Sequence, residues 1–201
     1  MLQLPDHIRQ TFFQIMAADI AVEAFEQWVY ADCELEQLLP ADDYLELISL
    51  NFKKSGARYE LFDLLEQFVG AGEYEKWKLT NLLLRAKVRD SNLPGVLEEM
   101  YYLYCDGYDF LNTLGMGFGL SMCVLPKPNS VEHWSQLQPA ELAKLAQSLP
   151  MLIINYEVDV VLRWLDEGGI ILTGKRDENN RYEFIDNRTD AEKTRITQYK
   201  F

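Results

Sequence analysis

From Gln10 to Phe52 the chain has no lysine and no arginine, yet it carries nine carboxylates: Asp19, Glu23, Glu26, Asp32, Glu34, Glu36, Asp42, Asp43 and Glu46. Phe12, Phe13, Phe25, Trp28, Tyr30, Tyr44 and Phe52 are threaded through them. Such a stretch is too apolar for a solvated acidic tail, so it must fold. Asp19, Glu23 and Glu26 recur at i, i+4 and i+7, and with Tyr30 they share one side of a helix whose other side holds Ala18, Ala21, Val22, Phe25, Trp28 and Val29. The spacing predicts an amphipathic helix with a uniformly negative wet face. Like charges one turn apart destabilise a helix by about 0.2–0.5 kcal/mol per pair, so helix stability does not select this face. It reflects either general acidity or a binding role.

The rest of the chain reads mainly as helix. Pro5 and the spacing of Ile8, Phe12, Ile15 and Met16 predict a first helix over Asp6 to Ala17. Glu34 to Leu39 makes a short turn stopped by Pro40, and Asp42 or Asp43 is placed to cap a helix over Tyr44 to Phe52. After a turn at Gly56, Tyr59, Phe62, Leu65, Phe68 and Val69 mark a helix closed by Gly70 and Gly72. A longer helix follows, with Trp77, Leu79, Leu82, Leu83, Leu84 and Val88 apolar and Lys76, Lys78, Arg85, Lys87 and Arg89 basic; these bases either complement its dipole or pair with the acidic block. Pro94 opens a nearly apolar, central helix through Tyr104.

A second base-free block spans Asp90 to Pro126 and sets Glu98, Glu99, Asp106 and Asp109 among Tyr101, Tyr102, Tyr104, Tyr108 and Phe110. Tyrosine beside carboxylate either packs inward or offers a surface for arginine and lysine. Gly115, Gly117 and Gly119 follow a predicted helix from Tyr108 to Leu114; with no preceding strand and no GKS or GKT, they mark close backbone packing or a change of direction. Pro126, Pro128, Asn129 and Ser130 form a loop. Helices over Pro139 to Ser148 and Pro150 to Asp166 come next, the latter with Leu152, Ile153, Tyr156, Val160, Val161 and Trp164 on its buried side. Beyond Gly168 and Gly169 the period changes to that of a β-hairpin, Ile170 to Thr173 and Tyr182 to Ile185 around Asn179 and Asn180, with a third strand at Ile196. The expected fold is mainly α: a single domain over 1–201, a bundle of about seven to nine helices in a body 1–169, and a small C-terminal antiparallel β-hairpin with a polar tail in 170–201.

The net charge of −13 is uneven: residues 1–169 hold 26 acids and 12 bases, whereas 170–201 hold 6 acids and 7 bases. Such a field repels nucleic acid and anionic lipid and attracts basic partners. No run of about 18 apolar residues and no basic-then-apolar N-terminus is present, so the expected location is cytoplasmic. Cys33, Cys105 and Cys123 lack CxxC spacing and read as buried, reduced thiols. His7 and His133 have no metal-ligand companion at i+4. Cys105 or Cys123 with His133 is a nucleophile–base pairing of the kind any chain with three cysteines and two histidines permits. No catalytic, metal or cofactor residues are expected.

Phe25-Glu26-Gln27-Trp28-Val29-Tyr30, Glu34 to Leu39, Tyr44 to Phe52, Trp77-Lys78-Leu79, and Tyr102 to Leu111 leading into the Gly115 to Gly119 run form an aromatic and acidic pattern. Over about residues 20–125 it resembles the small acidic immunity proteins of bacterial polymorphic toxin and contact-dependent growth inhibition systems. The resemblance implies a stoichiometric inhibitor, not an enzyme, that occludes the active site of a basic toxin domain, often a nuclease. Its expected contact residues are Glu98, Glu99, Tyr102, Asp106 and Asp109, with Glu23 and Glu26. A helical adaptor or homo-oligomer without a toxin, or an enzyme with an unrecognised site, stays open at this point.

Overall fold

The computed structural model describes residues 2–124 and 133–194. The loop expected at Pro126 to Ser130 and the third strand at Ile196 lie outside these residues. The fold is mainly α with one two-stranded antiparallel hairpin near the C-terminus. Among the described residues there are eight helices of nine residues or more and three of four residues. Backbone contacts group the chain into two compact units, Met1–Tyr74 and Glu75–Phe201. No glycine- or proline-rich linker marks this division, which falls inside the continuous helix Ala71–Ala86.

The first unit contains α1 (Asp6–Met16), α2 (Val22–Ala31), α3 (Leu35–Leu38), α4 (Ala41–Ser49) and α5 (Ala57–Val69). The rings of the acidic stretch become its core. Phe12, Phe13, Phe25 and Phe52 are buried, and Phe12 meets Phe25, Trp28 and Phe68 at centroid distances of 6.1, 5.9 and 6.2 Å. The Tyr30 hydroxyl donates to the Ile48 carbonyl at 3.1 Å and so ties α2 to α4.

Four local expectations need correction. Asp19 is not on the α2 face, because Ala18 takes a left-handed φ of 66° and breaks the helical run before Val22. That conformation costs an alanine about 1 kcal/mol, and no glycine or proline announces it. Pro40 occupies the N-cap position of α4, so Asp42 and Asp43 sit inside the first turn, where they still complement the dipole. In α5 the buried stripe is Leu61, Leu64, Leu65 and Phe68, and Tyr59 is 80% exposed. Gly70 ends α5 at φ 84°, whereas Gly72 lies inside the next helix.

The second unit contains most of α6 (Ala71–Ala86), then α7 (Leu93–Cys105), α8 (Leu120–Cys123), α9 (Pro139–Ser148), α10 (Met151–Asp166), β1 (Ile170–Arg176), β2 (Tyr182–Asp186) and α11 (Asp190–Lys193). α7 is central, as its all-round apolarity predicts. The expected helix from Tyr108 to Leu114 is instead a 3₁₀ turn, Asp109–Leu111, followed by a π-helical stretch, Thr113–Gly119. That stretch runs antiparallel to α7 in close backbone contact. A Cβ on Gly115 would lie 2.6 Å from the Met100 carbonyl oxygen, and one on Gly119 would meet the Leu97 oxygen closer still.

The hairpin pairs Ile170 with Asp186, Ile171 with Ile185 and Leu172 with Phe184, with an irregularity before the Arg176–Tyr182 pair. On α10, Leu152 is 86% exposed and Tyr156 is also exposed, against expectation; the buried residues are Ile154, Glu157, Val158, Val160, Val161, Trp164 and Leu165, of which Val160, Val161 and Trp164 were expected. A carboxylate in the middle of that stripe hides it from a hydrophobic reading. The bases of α6 and of the turn after it are engaged within this unit: Lys76 with Asp166 at 3.4 Å, Lys87 with Asp159 at 2.8 Å and Lys78 with Glu75 at 2.7 Å. Among the described residues no single helix is long and apolar enough to cross a membrane, and α9 with α10 passes on length and composition only as a pair bent by 71°.

Substituting Gly119→Ala should destabilise the protein by about 1–3 kcal/mol through overpacking against Leu97. Gly168→Ala has open space around it but a φ of 74°, and should cost about 1 kcal/mol through backbone strain alone. Urea unfolding of the two variants separates the effects, and equal losses would contradict the packing account.

Candidate functional site

Two faces of α7 organise the second unit. Leu97, Met100, Tyr101 and Tyr104 receive Gly115 and Gly119. Gly95, Glu98 and Tyr102, at i, i+3 and i+7, form a second face that receives the segment beginning at His133. The Trp134 indole lies over Gly95, where a Cβ would stand 2.9 Å from Cη2. Its Nε1–H donates to Glu98 Oε2 at 3.0 Å. His133 Nε2 stands 2.7 Å from Glu98 Oε1, and the same oxygen accepts from the Tyr102 hydroxyl at 3.4 Å and the Cys123 thiol at 3.7 Å.

Glu98 is only 9% exposed. Burial pushes its carboxyl up, but the hydrogen bonds from His133 and Trp134, the His133 charge and the Tyr102 hydrogen bond outweigh it and hold the group below the ordinary glutamate range. Burial and then the Glu98 charge push the Cys123 thiol up. A nucleophilic cysteine needs the reverse, a base or cation that favours thiolate. His133 commits its other nitrogen to Ser135 Oγ at 2.8 Å. Cys123 and His133 therefore meet on one carboxylate oxygen, an arrangement that holds His133 and Trp134 against α7 and disfavours the thiolate. The cysteine expectation also changes: Cys33 and Cys105 are exposed and Cys123 is half-buried, because each lies at or beyond the polar end of a helix.

The same unit holds a cleft of about 590 Å³ between the 3₁₀ and π-helical turns, α10, β2 and α11. The hairpin builds one wall. The Tyr182 N–H donates to the Asp106 carbonyl at 2.7 Å, and Gly107, at φ 123°, lets the strand come so close that a Cβ there would meet Tyr182. Tyr182 stacks on Tyr108 at 4.6 Å and Phe184 sets its edge to Phe110 at 5.0 Å. Beyond β2, Arg188 Nε and Nη2 donate to the two Asp186 oxygens, each at 2.9 Å, and its guanidinium lies 4.6 Å from the Trp164 ring centroid. The Arg188 hydrogen bond, against burial, holds the Asp186 carboxyl low, helped by the Arg188 and Lys193 charges. Trp164 Nε1–H donates to Glu192 Oε1 at 2.9 Å, and Glu192 closes a capping box with Thr189. Asp109 and Glu157 complete the acidic lining; Glu157 is 4% exposed.

The structure distributes the sequence-derived contact residues over several places. Glu98 is buried in the knot with His133 and Trp134, and Tyr102 is exposed but for its hydroxyl. Glu99 is exposed, 4.0 Å from Arg85. Asp106 is exposed beside the hairpin, and Asp109 stands at the cleft. Glu23 and Glu26 lie on α2 of the first unit, exposed and half-buried. Sequence reasoning did not reach Glu157, Trp164, Asp186 and Arg188. The carboxylate inside the α10 stripe was the one local signal; the other three meet only through the hairpin and the turn after it. Among the described residues no group of three or more His, Cys, Asp or Glu side chains forms a metal-holding cluster. No family model, no curated protein and no solved structure matches the chain.

Glu98→Ala leaves the Trp134 indole without its acceptor and should cost about 2 kcal/mol, whereas Glu98→Gln, which keeps an oxygen, should cost less. A carboxyl depressed by folding stabilises fully above its ordinary value of 4.5 and loses that contribution as pH falls through the lower folded value. Stability measured by urea unfolding should therefore decline below pH 4.5, and the Glu98→Gln variant should show a shallower decline. Parallel curves would remove Glu98 from the acid response.

Proposed function

We propose that this chain is an immunity protein that binds a basic bacterial toxin domain and occludes its active site. The observation that carries the reading is the charge of the first unit. Residues 1–74 hold 14 acids and 4 bases, a net −10, against 18 acids and 15 bases, a net −3, for residues 75–201. Asp19, Glu23, Glu34, Glu36, Asp42 and Glu46 are all exposed on that unit, while its rings fill the interior. Tyr30 and Tyr59 are exposed among these acids and can stack on incoming arginine and lysine. A surface of this kind speeds encounter with a basic partner and occupies the ground where a nuclease holds phosphates.

The reading makes the chain a non-enzyme. It also makes the protein cytoplasmic, where a nuclease toxin would reach its substrate. Glu23 and Glu26 on α2, and Asp106, Glu99 and Asp109 on the second unit, remain candidate contacts. Glu98 acts in this scheme by holding the His133 segment.

The test is association with the basic domain encoded by the adjacent gene. The on-rate should fall about tenfold or more between low and high salt, as electrostatic steering requires. Glu23→Gln with Glu26→Gln should slow association, and Asp106→Ala should weaken it if the second unit contributes. A salt-independent on-rate would sink the steering argument. A stable symmetric oligomer with no basic neighbour would favour the adaptor reading instead.

A further inference from the structure

We propose that the tip of the β-hairpin, Gly174 to Tyr182, is a lid that opens and closes over Tyr108, its opening favoured by a hydroxyl that the closed lid deprives of a hydrogen bond. The proposal does not rest on the toxin reading.

The tip is built as one body. Asp177 Oδ1 accepts from the backbone N–H groups of Asn179 and Arg181, each at 2.8 Å, and the Asp177 N–H donates to the Arg181 carbonyl at 2.8 Å. The Arg176 guanidinium donates to the Asn180 carbonyl and lies 3.8 Å from the centroid of the Tyr182 ring. Where the tip begins, the regular order lapses. The pairing of Leu172 with Phe184 gives way to an irregularity before the Arg176–Tyr182 pair, and Gly174 sits inside it at φ 70°. A break in the ladder with a glycine in the left-handed region is a place where a strand can bend and keep the rest of its pairing. On the near side of that break, Ile170 and Leu172 are buried and hold the base of the hairpin in the core.

The tip is fastened lightly and at a cost. Among the described residues, one backbone hydrogen bond leads from it to the rest of the unit, from the Tyr182 N–H to the Asp106 carbonyl at 2.7 Å. The Tyr182 ring covers that of Tyr108, with the centroids 4.6 Å apart. Tyr108 is 1% exposed, and its buried hydroxyl has no hydrogen-bond partner among the described residues. Burial, and then the Glu75 and Tyr182 charges, push this hydroxyl up against the pull of Arg176, so it keeps its proton and needs an acceptor. A buried donor without an acceptor penalises the state that buries it, and here that state is the closed lid. An open lid returns the hydroxyl to water. Opening also widens the cavity of about 70 Å³ that Tyr108 and Tyr182 line together with Leu79, Leu82 and Leu103. Small-molecule sites begin at roughly 300 Å³, so the closed cavity is too small to serve as one and the lid controls access to it.

The experiment measures native-state amide exchange by NMR on the full ¹⁵N-labelled chain. The Tyr182 amide reports the lid, and the amides of Met100 and Val158, buried in α7 and α10, report the body. In the unaltered chain the Tyr182 amide should be protected at least about tenfold less than the other two, since it exchanges through a local opening. Tyr108→Phe keeps the ring and removes the hydroxyl, so it should raise the protection of the Tyr182 amide by about fivefold or more. Equal protection of Tyr182, Met100 and Val158 in the unaltered chain would overturn the proposal, because the tip would then open only with the whole unit. Unchanged or reduced protection of Tyr182 in Tyr108→Phe would also overturn it, because the hydroxyl would then be satisfied when the lid is closed. The first comparison needs no substitution and decides the matter even if Tyr108→Phe perturbs folding.

Discussion

Gly115 and Gly119 lie against the carbonyls of α7 at a range where a methyl group has no room. Much of the second unit follows from that contact. Because the π-helical stretch occupies one side of α7, the Gly95–Glu98–Tyr102 side is left for Trp134 and His133, and the two docking events share a single helix. The 3₁₀ turn that leads into the π stretch places Phe110 in the core and Asp109 at the cleft. A π-helical segment with three glycines has poor intrinsic stability, so its persistence here depends on the packing it permits.

Much of this was legible in the chain, and the illegible parts have identifiable causes. The bounds of α1, α9 and α10 came close to the expected ones because Pro5, Pro139, Pro150 and Gly168 punctuate regular apolar spacing. The glycine run was correctly excluded as a nucleotide loop, and of its two structural readings close packing is the one realised. The break at Ala18 was invisible because the left-handed position that closes α1, followed by the Asp19 N–H donating to the Gln14 carbonyl, is filled by an alanine and not by the usual glycine or asparagine. On α10 the expected burial of Val160, Val161 and Trp164 is met, whereas Leu152 and Tyr156 were misplaced because a carboxylate, Glu157, interrupts the true stripe, and the same residue is one of those missed at the cleft. Glu98 was singled out as a surface acid, yet its role depends on residues 35 and 36 positions away, which no local pattern encodes.

The division at Tyr74 changes what the net charge means. Taken over the chain, −13 is a general property; taken by unit, most of it belongs to the first 74 residues. The second unit is nearly balanced, with 18 acids against 15 bases, and there Lys76 and Lys87 meet carboxylates of α10 and Arg188 meets Asp186. The excess negative charge and the cleft thus lie in different parts of the molecule. A field acts over about a Debye length and needs no precise geometry, whereas a cleft acts only at contact.

In the first unit each of α1, α2 and α4 buries its apolar stripe and turns carboxylates outward. The residues that stabilise the core and those that create the field therefore interleave along the same helices without sharing side chains. A surface carboxylate there can be exchanged for a neutral or basic residue without opening a cavity, and such exposed changes generally alter stability by less than about 0.5 kcal/mol. The electrostatic character of this unit can thus change, one exposed position at a time, while the packing that sets its fold is untouched.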